Sequence, residues 1–327
     1  MTPYIGQSLP RVEDRRFLTG QGRYTADISI EGELHCAFLR SPQVHARIER
    51  IDAGAALRAP GVLAVLTAAD YRADGLAPIA HHPNPVDALD VSIRAFAATA
   101  GANVIELAHW PLAGETVRHL GEPIAAVIAT SAARARDAAE LIEVGYRPLP
   151  AVMSPAEAVR EGAPQLWPEA PRNLCLSVPY GDAEATRAAL ARAACVVRQR
   201  FVNNRVVAAQ MEPRSAIGVH DAAMNLHTLI SGSQGVHQQK VALAAVFKLP
   251  EDQVRVICPD VGGAFGPRTN LYPEQVVVVW AARRLGRPVK WIGDRSESFV
   301  ADYQGRDNVA DAALALDAEG RILGYEV

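Results

Sequence analysis

Residues 259–268 read PDVGGAFGPR. A short apolar run, QVRVIC (253–258), stands before them, and a helix-like run, YPEQVVVVWAARRLG (272–286), follows. Gly262, Gly263 and Gly266 surround one phenylalanine, and Pro267 comes next. Glycine accepts φ > 0 and lets a second group approach the bare backbone closely. A turn of this composition is either a tight corner or a wall pressed against a ligand. Which it is depends on what the rest of the chain brings near it.

Downstream, PVKWIG (288–293) reads as a strand, and DNVADAALALDAEGRILGYEV (307–327) as two strands joined at DAEG. The last strand runs to Val327, which predicts that more chain, or another chain, completes its sheet. Upstream, SQGVHQQKVALAAVFKL (233–249) reads as a helix. RSAIGVHD (214–221) and MNLHTLIS (224–231) alternate like a hairpin, and CVVRQRFVNN (195–204) is a strand after the alanine-rich helix DAEATRAALARAA (182–194). EGAPQLWPEAPRN (161–173) is the linker candidate. Before it, ELHCAFLRS (33–41), VLAVLTA (62–68) and EPIAAVIA (122–129) are strands. A helix capped by Thr130 or Ser131 is predicted to stop near Gly145. Residues 1–17 read as an extended lead-in, and 73–112 as a long loop containing HHPNP, whose His81 and His82 are read as solvent-exposed. The fold class is α+β, with domains at 1–160 and 176–327 around a linker at 161–175.

The totals restrict function. With 327 residues, 49% apolar and 21% charged, the chain has material for about two domain cores. A net charge of −3 without a basic stripe argues against nucleic acid. Cys36, Cys175, Cys195 and Cys258 form no C-x-x-C, so no residue is assigned as a metal ligand and the thiols are expected to be free and buried. No apolar leader opens the chain, and VVVVWAA (276–282) is too short to span a bilayer, so a cytoplasmic protein is expected.

The glycine turn lacks the spacing of a dinucleotide fingerprint and the G-K-[ST] of a phosphate loop. SGSQG (231–235) is not a nucleophile elbow, since Ser231 stands where that motif needs glycine. LISGSQGVHQQ and ICPDVGGAFGPR instead both place small residues between a strand and a helix. Backbone N–H groups at such junctions lack intrahelical partners and suit strongly accepting ligands. Gln234 adds an amide that both donates and accepts. The two junctions are expected to line one crevice.

In order, these segments resemble the molybdenum-binding large subunit of the xanthine dehydrogenase, aldehyde oxidase and carbon monoxide dehydrogenase family. Residues 11–28, 37–70 and 121–152 resemble its N-terminal α/β hammerhead domain. MEPRSAIGVHD (211–221), SQGVHQQ (233–239), PDVGGAFGPR and GRPVKWIGDRSESF (286–299) resemble its first molybdopterin-binding domain, here incomplete at its C-terminal end. The resemblance implies that Gln234 hydrogen-bonds an oxo ligand of molybdenum, with Gly235 beside it. Gly262, Gly263, Ala264, Phe265 and Gly266 would lie against the metal's ligands and the pterin, and Phe265 and Thr269 would border the substrate pocket.

Departures from the family pattern are equally specific. The family usually has glycine where Ala264 stands, and a glycine–lysine pair at Pro267 and Arg268. Purine-oxidising members carry glutamate at the position of Thr269. Met211 and Arg214 are read as packing residues, and His237 and Glu212 as structural. No residue matches the family's general-base glutamate, and the copper-ligating cysteine loop would lie beyond Val327. The resemblance therefore implies the N-terminal part of a catalytic subunit that oxidises aldehydes or N-heterocycles with water-derived oxygen. Its molybdenum–molybdopterin, in the cytosine dinucleotide form, would be shared with a C-terminal half; a small subunit would hold [2Fe–2S] and a medium subunit FAD. The alternative is a non-catalytic module of the same fold.

Overall fold

The computed structural model describes residues 4–80, 101 and 103–327. His81 and His82 lie outside the described residues, as does the middle of the 73–112 segment. A seven-stranded mixed sheet organises the rest. Across it run Val254–Ile257, Leu226–Ser231, Ser215–Asp221, Val289–Ile292, Leu34–Arg40, Pro123–Ala129 and Val62–Thr67. Two pairings are parallel, Leu226–Ser231 with Val254–Ile257 and Leu34–Arg40 with Val289–Ile292. The second joins sequence from both sides of the 161–175 segment into one sheet, with Leu34 opposite Val289. Pro123–Ala129 is buried along its whole length, as the unbroken apolar run PIAAVIA requires of a strand covered on both faces.

The helix Pro273–Leu285 packs on this sheet. Tyr272 caps it, with its N–H donating to Gln275 Oε1 at 2.9 Å, proline opens it and Gly286 ends it in the left-handed region. Every residue from Pro273 to Ala282 is buried, so the stretch 276–282 is apolar on all sides because all its sides face protein, and only the last turn, with Arg283 and Arg284, reaches solvent. Trp280 meets the Tyr71 ring edge-on at 5.2 Å, and its indole N–H donates to Asp74 at 2.7 Å. Cutting a buried tryptophan to alanine costs about 3–5 kcal/mol, so this contact alone anchors the helix strongly.

Cys195–Asn203, Asn308–Leu316 and Ile322–Glu326 form a separate antiparallel sheet. The helix Ala183–Arg192 covers one face, where Ala189 closes on Gly324. The other face presents Val197, Phe201 and Tyr325, each half or more exposed.

Several local expectations need correcting. The helix capped by Ser131 ends at Ala139, because Ile142, Val144 and Tyr146 alternate and Glu143–Pro148 pairs with Ala46–Asp52. The lead-in is not wholly extended, since Asp14–Leu18 is helical. The thiols are free, yet only Cys36 is buried and Cys195 is exposed. In the proline-rich stretch the Asn173 side-chain amide donates to Pro164 O and to the preceding Ala158 O, each at 2.9 Å, and Leu166 O accepts from Arg118 Nε at 3.0 Å. Among the described residues no helix is long and apolar enough to cross a membrane.

Candidate functional site

Parallel neighbours end on the same edge of a sheet, which is where open α/β sheets place their ligands. Ile230 pairs with Ile257, so the chain leaves both strands side by side at Ser231 and Cys258. One corner leads into the helix Val236–Phe247, the other into the turn Pro267–Thr269 and then the buried helix. The Ser233 N–H donates to Cys258 Sγ at 3.3 Å, and the Gly235 N–H to Ser233 Oγ at 2.9 Å.

The two corners expected to line one crevice touch directly. The Gln234 N–H donates to Arg268 O at 3.1 Å, and the Gly266 N–H donates to Gln234 Oε1 at 2.8 Å. A backbone N–H can only donate, so the oxygen of the Gln234 amide is the end turned to Gly266. Its Nε2 remains as a donor on an exposed side chain. The Gly266 N–H is thereby spent. The N–H groups of Gly263, Ala264 and Phe265 make no hydrogen bond to the described residues.

Backbone conformation explains the composition of the turn. Gly263 has φ +104°, and a Cβ there would lie 2.9 Å from the Phe265 ring and 3.1 Å from Gln210 Cβ, so only glycine fits. Phe265 itself has φ 53°, a left-handed conformation costly for a bulky residue, with the side chain 75% exposed. Strain and exposure coincide on one aromatic ring. Left-handed residues alternating with others turn successive N–H groups toward one concavity, a nest for accepting or anionic groups.

Beneath the turn lies buried polar structure. Glu212 Oε2 accepts the Gly262 N–H at 2.7 Å and lies 3.0 Å from Arg268 Nη1. Gln239 Nε2 donates to Arg268 O and Asn270 O, each at 3.2 Å. Gln210 Nε2 donates to Asp302 at 3.0 Å. Glu212 Oε1, Arg268 Nε, Gln239 Oε1 and Gln210 Oε1 are buried without a partner among the described residues. Native proteins leave few such atoms, and four bordering one turn mark it as unlike ordinary core.

Asp260 is fixed from the other end of the sequence. Its carboxylate pairs with the Arg16 guanidinium and accepts the Arg23 N–H at 2.6 Å, while its own N–H donates to Arg23 O at 3.1 Å. The Arg16 hydrogen bond, then the Arg23 N–H, hold this carboxyl at about 2, below the ordinary 3.8.

Of the remaining expected residues, Gly235 precedes the first helix, Gly262 is held by Glu212, and Ala264 and Thr269 are half-buried. His237 is exposed. Met211 is 88% exposed, so its reading as a packing residue is corrected, whereas Arg214 is buried as expected. Sequence reasoning missed Arg268, Gln239 and Asp260. Arg268 was visible only as a departure from a lysine pattern, and nothing in the sequence couples Asp260 to Arg16.

Among the described residues no three His, Cys, Asp or Glu side chains converge as a metal cage. The corner offers uncharged N–H donors and bare backbone. That donor set fits a group that brings its own accepting ligands, such as a metal held by a pterin, better than a naked cation.

Comparison with known proteins agrees with this chemistry. Residues 19–150 match the aldehyde oxidase and xanthine dehydrogenase a/b hammerhead domain, and residues 166–327 match the molybdopterin cofactor-binding domain. The chain is 37% identical, over 99% of its length, to the 6-hydroxypseudooxynicotine dehydrogenase complex subunit gamma of Paenarthrobacter nicotinovorans. It is 34% identical, over 96%, to the carbon monoxide dehydrogenase large chain of Hydrogenophaga pseudoflava. Quinoline 2-oxidoreductase from Pseudomonas putida 86 superposes on 97% of the chain with a TM-score of 0.83 and 35% identity. In each case the chain spans 38% of the relative's length. The sheet edge with its two joined corners thus lies within the molybdopterin-binding match, after a hammerhead domain, and the chain belongs to the family of molybdenum hydroxylase large subunits.

Proposed function

We propose that this chain supplies one wall of the molybdopterin site of a molybdenum hydroxylase acting on a carbon of an aldehyde or an N-heterocycle. The observation that carries the reading is the join between the corners: the Gly266 N–H on Gln234 Oε1 at 2.8 Å, beside three N–H groups free to donate. When bound, the molybdenum cofactor supplies transfer of water-derived oxygen and takes up the electrons. Gln234 Nε2 and the N–H groups of Gly263, Ala264 and Phe265 hold the cofactor's accepting atoms. Because hydrogen bonds at Gly262 and Gly266 hold both flanks of this stretch, and the second also holds the Gln234 amide, the donors need little reorganisation as charge develops. The exposed Phe265 ring borders the substrate and offers an aromatic face to a planar ring. Two of the relatives described above are named for an N-heterocycle or a nicotine derivative, which favours that substrate class. Thr269, where purine oxidisers carry glutamate, argues against purines.

The proton-abstracting base and the rest of the pterin site come from polypeptide outside this chain, and the chain alone is inactive. The uncovered face bearing Val197, Phe201 and Tyr325 is suited to contact with such a partner. A [2Fe–2S] subunit and an FAD subunit carry electrons away, and the pterin is the cytosine dinucleotide form. The test is the molybdenum content of the complex purified through this chain. Stoichiometric molybdenum is expected, with Gln234→Ala and Phe265→Ala keeping the fold; loss of the Gln234 donor should lower turnover about 10²–10³-fold. A folded complex without molybdenum would support the non-catalytic module instead. Oxidation of quinoline or an aldehyde by the isolated chain would overturn the need for a partner.

A further inference from the structure

We propose that Glu212 and Arg268 form a clamp that positions the glycine turn, and that Arg268 thereby acts on the site through its backbone rather than as a ligand-binding cation. Glu212 brackets Gly262 completely: its Oε2 accepts the Gly262 N–H at 2.7 Å, and its N–H donates to Gly262 O at 3.1 Å. The same Oε2 lies 3.0 Å from Arg268 Nη1, and Glu212 O accepts from Arg268 Nη2 at 2.6 Å. One residue therefore holds both ends of the 262–268 turn.

The hold continues to the ledge. Arg268 O accepts the Gln234 N–H at 3.1 Å, and the Gln234 side chain accepts the Gly266 N–H at 2.8 Å. The contacts close a ring through Gly262, Glu212, Arg268, Gln234 and Gly266. The Arg268 side chain is 1% exposed and that of Glu212 11%, so their pairing is little screened by water. The first corner is shaped for it as well. A Cβ at Gly232 would stand 2.0 Å from Arg268 Nη1, so the guanidinium reaches Glu212 only because residue 232 is glycine. A side chain this buried cannot meet a cofactor. What it can do is hold the direction of the N–H groups at 263–265 and of the Gln234 amide.

The consequence for the cofactor rests on the molybdopterin reading above; the geometry of the clamp does not. Site-resolved amide hydrogen exchange on the full chain tests the clamp, with the buried helix Pro273–Leu285 as internal reference. In Glu212→Ala the Gly266 and Gln234 amides, neither of which bonds to Glu212, should exchange about tenfold faster or more, while helix amides change less than about twofold. Glu212→Gln keeps an oxygen for the Gly262 N–H and should recover part of the protection. Unchanged Gly266 and Gln234 amides, or acceleration in step with the helix, would overturn the clamp. Should Glu212→Ala fail to fold, Glu212→Gln and Arg268→Gln decide by the same comparison. Molybdenum in the complex, measured in parallel, should fall in the Glu212 variants. Fast turn amides with molybdenum fully retained would overturn the positioning role, whereas a folded parent complex without molybdenum would sink the molybdopterin reading and leave the clamp standing.

Discussion

Arg214 and Arg268 are both buried arginines paired with a glutamate, yet their surroundings differ. Arg214 is fully spent: Nε donates to Asp302 at 2.7 Å, Nη1 to Glu274 at 2.8 Å, and the guanidinium lies 3.6 Å from the Tyr272 ring centre. Glu274 is shared with Arg40, which also pairs with Glu297. Burial alone would raise the Glu274 carboxyl, but Arg214 and Arg40 hold it at about 2. Arg268, by contrast, keeps Nε without a partner, and Glu212 keeps one oxygen. A closed network fixes where the central helix starts. The open one lies under a ledge of free N–H groups, and incomplete pairing of this kind is expected where a surface serves something besides stability.

The largest expected effect breaks the closed network. Glu274→Ala leaves Arg214 and Arg40 buried without their shared carboxylate and should cost about 3–5 kcal/mol in urea denaturation. A variant as stable as the parent would erase the contrast, since Glu274 would then be no more than filler at the helix start.

A smaller effect, of opposite sign, is expected at the ledge. Phe265 holds a left-handed φ of 53° with its ring mostly in solvent, so its strain serves no packing. Phe265→Gly relieves that strain, offset in part by the freer unfolded chain, and should stabilise by up to about 1 kcal/mol. Thermal denaturation checks it. A clear fall in Tm would mean that the ring packs structurally and that the ledge is ordinary corner after all.

The unequal legibility of the two regions has a physical cause. The helix at 273–285 was readable because its tyrosine–proline start, apolar run and glycine stop all depend on neighbours in sequence. The joined corners were readable in outline because each is a strand, small residues and a helix, and Gln234 is the polar group among them. The Ser131 helix reads longer in sequence than it is because RDAAELIEV suits either state until Ala46–Asp52 supplies a partner for Glu143–Pro148. The clamp was illegible for a different reason. Glu212 and Arg268 meet only through folding, and the glycine that admits the guanidinium, Gly232, lies in another corner. Arg16 reaching Asp260 is more remote still.

That last contact offers the smallest effect and the finest comparison, since Asp260 and Glu274 are both held at about 2 by arginines. A carboxyl whose pKa is depressed in the fold contributes stability that is complete above its unfolded value and is lost as pH falls through the folded one. For Asp260 the window runs from the ordinary 3.8 down to about 2. Its arginine partner stands partly in solvent, so salt should screen the contribution, while the pairing around buried Glu274 should resist salt. Asp260→Asn should therefore flatten Tm between pH 4 and pH 2 only slightly, and only at low ionic strength (on the order of 10 mM). The acid loss that persists in this variant at high salt belongs to the closed network. If salt abolished that loss too, the buried network would be no better shielded than the surface pair, and the distinction between the two regions would fail.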